Sequence, residues 1–183
     1  MRGVDTTWFT IVPATIAAVA PAPALATVYV SVDQARQAMF PGAHFVDRAI
    51  AFSPEQRKAV ARASGGEAPD KVQHVWEART QAGRAGWFLV DRVIGKHDYI
   101  TYAVALSPDG AVKRVEILEY RESYGGEVRN PAWRQQFVGK RFGARLKVGA
   151  DIRNISGATL SSTHVTEGVR RILAIHQLFL KNG

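Results

Sequence analysis

Four β-rich segments joined by short polar turns fill the middle of this chain, and they leave few ways to fold it. Residues 71–80 and 85–94 flank Gln81-Ala82-Gly83-Arg84. Residues 97–106 and 111–120 flank Ser107-Pro108-Asp109-Gly110, with Pro and Gly at favoured turn positions. Connections this short join antiparallel neighbours, because a parallel crossover takes about a dozen residues or more. The spacing predicts an antiparallel sheet of about four strands.

Helices flank that sheet in the sequence. Residues 32–39 read as a short helix ended by Pro41-Gly42. Ser53-Pro54-Glu55 pairs a capping serine with Pro at the first helical position, opening a helix to about residue 63 that stops at Gly65-Gly66. A Gly-rich loop, Tyr124-Gly125-Gly126, precedes a short helix near residues 131–137. Residues 139–154 are basic and irregular, with room for one short strand. In the last segment Val165, Val169, Ile172, Leu173, His176, Phe179 and Leu180 recur at helical spacing. That predicts a final helix over residues 162–180 whose apolar face packs on the sheet. The fold class expected is α+β, an antiparallel sheet with helices on one side.

Composition narrows the function. The chain has 183 residues, no cysteine and a net charge of +8. Without cysteine there is no disulfide framework, thiolate metal site, iron–sulfur cluster or Cys-linked haem. From residue 110 onward there are 13 lysines and arginines against 6 acidic residues, so most of the excess lies there. The basic residues are interleaved with acids and apolar positions, which reads as a solvated face, or as balance for a bound phosphate or an acidic partner, and not as a nucleic-acid surface. Residues 8–26 are apolar and nearly uncharged and end in Ala24-Leu25-Ala26, a small-x-small pattern expected of a cleaved export signal, with an uncleaved anchor as the alternative. Prolines 13, 21 and 23 oppose a membrane-spanning helix there. The mature chain is thus expected from residue 27, as a single domain over residues 27–183 with a helical part to residue 70. It is expected to be extracytoplasmic (periplasmic, for example) and not itself membrane-spanning.

The candidate site lies before the last helix, at Asn154-Ile155-Ser156-Gly157-Ala158-Thr159-Leu160-Ser161-Ser162. A helix start offers unpaired backbone N–H groups and the positive end of the helix dipole. Gly157 permits close backbone approach, and Ala158 adds little bulk. An anion such as a phosphate, beside the Thr159 hydroxyl and the N–H groups of Leu160, Ser161 and Ser162, suits this turn. Ser and Thr in such places also serve as plain helix caps. None of the five histidines shows metal-ligand spacing. There is no Gly-x-Ser-x-Gly elbow, P-loop or Gly-x-Gly-x-x-Gly sequence. His176 falls on an apolar helix face, as a core histidine would. Glu122 and Glu127 read as solvated loop acids.

The stretch Ser156-Gly157-Ala158-Thr159 resembles the S-G-A-T motif of the FMN-binding domain family. That family includes the covalent-flavin subunits of sodium-pumping NADH:quinone reductase and of Rnf-type complexes. The resemblance extends over roughly residues 85–183. It takes in the segment from Gly95 to Val104, the segment from Glu116 to Gly126 and the segment Trp133-Arg134-Gln135-Gln136-Phe137-Val138-Gly139-Lys140. It implies FMN joined to Thr159 by a phosphoester bond, made by a separate Mg-dependent flavin transferase with FAD as donor. Ser156, Gly157 and Ala158 would shape the turn. His97, Tyr124 and Trp133 are candidates for contacts to the flavin ring, with core packing or a strand-end hydrogen bond as the other reading of each. One departure stands out: many relatives carry an acid three positions before the motif serine, where this chain has Arg153, and the nearest acid is Asp151.

The function expected on this basis is electron carriage by an exported flavoprotein that works with a redox partner or a membrane electron-transfer complex. A non-covalent FMN reductase and a flavin-free binding module are the alternatives.

Overall fold

The computed structural model describes residues 27–48, 50–68, 74–122 and 125–182. The expected export signal, residues 1–26, lies outside them. So do Tyr124 and the first three residues of the first expected strand.

Among the described residues the sheet has six strands in the order β1-β6-β5-β4-β3-β2, each pairing antiparallel with its neighbour. Its centre is the expected meander: β3 (His74–Thr80), β4 (Gly83–Ile94), β5 (Tyr99–Leu106) and β6 (Val112–Tyr120). Two short edge strands, β1 (Thr27–Val28) and β2 (His44–Asp47), complete it. Neither carries a long enough alternating pattern to be read from sequence. The N-terminal part therefore holds strands as well as helices.

Local chemistry sets the helices. Ahead of α1 (Val32–Met39) Ser31 forms a reciprocal capping box with Gln34, and ahead of α2 (Pro54–Ser64) Ser53 does the same with Gln56. Gly65 closes α2 in the left-handed region, at φ 64°. The one-turn helix α3 (Pro131–Arg134) runs into a tight turn, Gln135–Phe137. The long helix α4 (Thr159–Ile175) ends in a wider turn at His176–Leu180. Residues 139–154 form no strand, only a bridge between Val148 and Ile152.

Both faces of the sheet are covered. On one, Val165, Val169, Ile172 and Leu173 of α4 pack on Leu89, Tyr102, Val104 and Ile117. On the other, Ala35 and Met39 of α1 pack on Phe88, Val90, Ala103 and Ala105. So α1 stands apart from the helices grouped with α4. Burial from both sides explains the unbroken buried run Trp87-Phe88-Leu89-Val90, where a half-buried strand would alternate. A polar lock ties α4 to the sheet: Asp91 accepts from Tyr102 Oη at 3.0 Å and from Arg171 Nη2 at 2.6 Å. Gly168 makes room for it, since a Cβ there would lie 2.1 Å from the Tyr102 hydroxyl.

Candidate flavin site

The helix α4 begins three residues earlier than the sequence suggested. Thr159 is its first residue and Ala158 its N-cap, with no side-chain cap. The expected helix begins at residue 162, directly after Ser161. The hydroxyls of Ser161 and Ser162 are both engaged: Ser161 Oγ lies 3.3 Å from Tyr120 Oη, and Ser162 Oγ donates to Thr159 O at 3.0 Å. The helix also engages the Ser162 N–H, which donates to Ala158 O at 3.0 Å. Thr159, Leu160 and Ser161 therefore carry the N–H groups that have no carbonyl four residues back within the helix. Of the three N–H groups expected to receive a phosphate, that of Ser162 is not free.

Gly157 turns the chain into the helix with φ 79°, in the left-handed region that favours glycine. Ser156, Gly157, Thr159 and Leu160 are exposed, while Ala158, Ser161 and Ser162 are buried. Ala158 is covered by the Gly-rich loop. A Cβ on Gly125 would lie 2.7 Å from both Ala158 Cβ and Tyr120 Oη, so only glycine lets this loop pack on the turn.

Across from the turn stands the loop between β4 and β5. A cavity of about 430 Å³ is lined by Lys96, His97, Asp98 and Glu122 on one side and by Gly157, Ala158, Thr159, Leu160 and Ser161 on the other. His97 thus shares a cavity with Thr159, as one reading of it required. Glu122 is no solvated loop acid. Its carboxylate accepts the backbone N–H of His97 at 2.5 Å and of Asp98 at 3.0 Å. Burial works against its charge, but the N–H groups of Asp98, His97 and Lys96 outweigh that and hold its pKa below the usual carboxylate value. Gly95 admits this contact, because a Cβ there would sit 2.4 Å from Glu122 Oε1. Burial, followed by the nearby carboxylates of Glu122 and Glu127, raises the pKa of Tyr120 against the lowering effect of Ser161. The cavity thus combines a lysine, an imidazole, two carboxylates and the open first turn of a helix.

Trp133 does not line this cavity. It is buried, packs edge-on against Phe137 at 5.2 Å, and donates from Nε1 to Arg153 O at 2.8 Å. Gln136 Oε1 accepts the Arg153 N–H at 2.9 Å. Lys140 pairs with Asp151 at 3.0 Å, and Asp151 also accepts the N–H of Lys147 at 2.8 Å. The segment from Trp133 to Lys140 is therefore a strut that fixes the chain leading into the turn. Asp151, the nearest acid in sequence, belongs to that strut.

Sequence reasoning gave Lys96, Asp98 and Asn154 no role at the site. The first two carry no motif of their own, and only the β4–β5 hairpin brings them opposite the turn. Asn154 donates from Nδ2 to Thr159 Oγ1 at 3.2 Å, a contact that spacing alone does not reveal.

Comparison with known proteins agrees with this geometry. Residues 95–174 match the family model described as FMN-binding domain, a span that holds every cavity residue named above. Among solved structures, the crystal structure of Shewanella oneidensis NqrC aligns at a TM-score of 0.55 and 17% identity, over 83% of this chain and 88% of that one. At that identity the likeness is one of fold. No curated protein matches the chain. Over residues 95–174 this chain is similar to the FMN-binding domain family.

Proposed function

We propose that this chain is an exported electron-transfer flavoprotein carrying FMN covalently on Thr159 through a phosphoester bond. The observation that carries the reading is the position of Thr159. Within the FMN-binding segment it is an exposed hydroxyl residue in the open first turn of a helix, on the wall of a cavity that also holds Lys96 and His97. The residues suit an anionic nucleotide. Backbone N–H groups of the first turn and the helix dipole favour a phosphate, at about 0.3–1 kcal/mol for the dipole alone. Lys96 offers a full positive charge on the opposite wall, and Glu122 holds the backbone of that wall in place.

When bound, FMN supplies the electron chemistry. The chain orients it and sets its electrostatic surroundings. A flavin transferase would install it, and a redox partner or a membrane electron-transfer complex would exchange electrons with it outside the cytoplasm. Among the described residues no helix is long and apolar enough to cross a membrane.

The test is intact mass under denaturing conditions after co-expression with a flavin transferase. Wild type should gain the mass of the flavin nucleotide, and Thr159→Ala should lose it entirely while staying folded. Thr159→Ser keeps a hydroxyl and should be modified in part. Flavin retained by denatured Thr159→Ala would move the attachment to another residue. Flavin bound by native wild type but released on denaturation would favour a non-covalent FMN protein instead.

A further inference from the structure

The hydroxyl of Thr159 is held from outside its own helix. A threonine within a helix commonly turns its hydroxyl back onto a carbonyl three or four residues earlier. Thr166 does this, donating to Ser162 O at 2.6 Å. Thr159 opens α4 and has no helical carbonyl behind it. Its Oγ1 instead accepts from Asn154 Nδ2 at 3.2 Å. Asn154 is itself held, since its Oδ1 lies 3.1 Å from Ser162 Oγ and shares that hydroxyl's proton with Thr159 O. One residue earlier, Trp133 and Gln136 pin both backbone polar groups of Arg153. The Arg153 side chain lies with its Nε 3.4 Å from Gln136 Oε1. Asn154 is thus the side chain that this chain places on the Thr159 hydroxyl.

A hydroxyl oxygen has two lone pairs and one proton. With one lone pair taken by the amide of Asn154, the other lone pair and the O–H are directed away from it. An acceptor fixed in one rotamer has less orientational freedom to lose on the way to reaction. We propose that Asn154 is a positioning residue for the modification of Thr159, holding the acceptor hydroxyl while the flavin nucleotide is delivered. This rests on Thr159 being the attachment residue. In the transfer, Thr159 Oγ1 forms a bond to the phosphorus on the FMN side of FAD. The pyrophosphate P–O bond breaks, AMP leaves, and the hydroxyl proton passes to a base of the transferase. Nothing is oxidised or reduced.

The experiment uses the purified full chain without flavin, a flavin transferase, FAD and Mg, with initial rates read by intact mass. Asn154→Ala should lower kcat about tenfold, the worth of one hydrogen bond in a barrier, with KM for the chain unchanged. Asn154→Asp keeps an acceptor for Ser162 but has no donor for Thr159, and should be as slow. Thermal unfolding of both flavin-free variants should match wild type. Wild-type kcat in Asn154→Ala or in Asn154→Asp, or a loss confined to KM, overturns the positioning role while leaving the attachment assignment standing. If wild type gains no mass at all, the attachment reading fails and the positioning role falls with it. If Asn154→Ala does not fold, Asn154→Asp decides alone.

Discussion

The two ends of α4 differ in how they are closed. At the N-terminal end, Thr159 and Leu160 are exposed, and a Cβ on Gly157 would meet nothing within 4 Å. At the other end His176 is only 2% exposed and meets the Trp87 ring at 6.3 Å. There the turn between β5 and β6 presses on the helix: a Cβ on Gly110 would lie 2.5 Å from the His176 ring. Both glycines have positive φ, 79° at Gly157 and 84° at Gly110. The same backbone conformation thus serves a turn open to a ligand at one end and a turn filled by an imidazole at the other.

Matched substitutions put this contrast to its strongest test. Gly110→Ala meets both a left-handed backbone penalty and an overpacked ring, and should cost about 3 kcal/mol in urea denaturation. Gly157→Ala meets only the backbone penalty and should cost about 1 kcal/mol. Equal losses would mean that shape does not distinguish the ends.

A smaller effect concerns pH at the buried end. Burial lowers the His176 pKa below its ordinary 6.5, with Lys181 and Arg84 acting in the same direction; the Pro108 carbonyl and Asp109 oppose it and do not prevail. The unfolded chain therefore takes up the proton more readily than the folded one. The stability that His176 contributes is present above pH 6.5 and is lost as pH falls from there toward the folded-state value. Thermal melts across that window should show this slope in wild type and a flatter one in His176→Gln. An unchanged slope would place the acid sensitivity elsewhere.

Local features were legible in the sequence; contacts across the sheet were not. Ser53 and Gly65 bound α2 as read, because caps depend on neighbours within a turn of the chain. The four central strands followed from turn residues at short spacing. The start of α4 was misplaced because Ser161 and Ser162 look like caps, whereas their hydroxyls bond to Tyr120, Asn154 and Thr159. Thr159 stood out through a contiguous motif. Lys96 did not, because it reaches the same cavity through a different hairpin. Arg171 and Asp91 pair across 80 residues, and Glu77 gathers Arg48, Arg79 and Arg84 into one cluster. Nothing in the periodicity of either segment announces such pairings. Trp133 looked as suited to a flavin as to a core, and its indole proved committed to Arg153.

The smallest effect sharpens the open end. Glu122 touches no catalytic atom in this arrangement; it ties down the backbone that carries Lys96 and His97. Its carboxylate accepts N–H groups from a loop 24 and 25 residues away in sequence, so the restraint is tertiary and local in space. Glu122→Gln retains a carbonyl acceptor but loses the charge that strengthens both bonds. The amides of His97 and Asp98 should then exchange hydrogen several-fold faster, while the global unfolding midpoint barely moves, because only the loop is freed. The sign with pH follows from the lowered pKa of Glu122. The restraint is complete above the ordinary carboxylate value of 4.5 and is lost as pH falls through the lower folded-state value. Acid should therefore reproduce in wild type what the substitution does at neutral pH, at these two amides first. Unchanged protection in Glu122→Gln would mean that the loop is held by the strands on either side, chiefly through the bond from Gly95 N to Asp98 O at 2.7 Å. The cationic wall of the cavity would then owe its place to the hairpin and not to the acid.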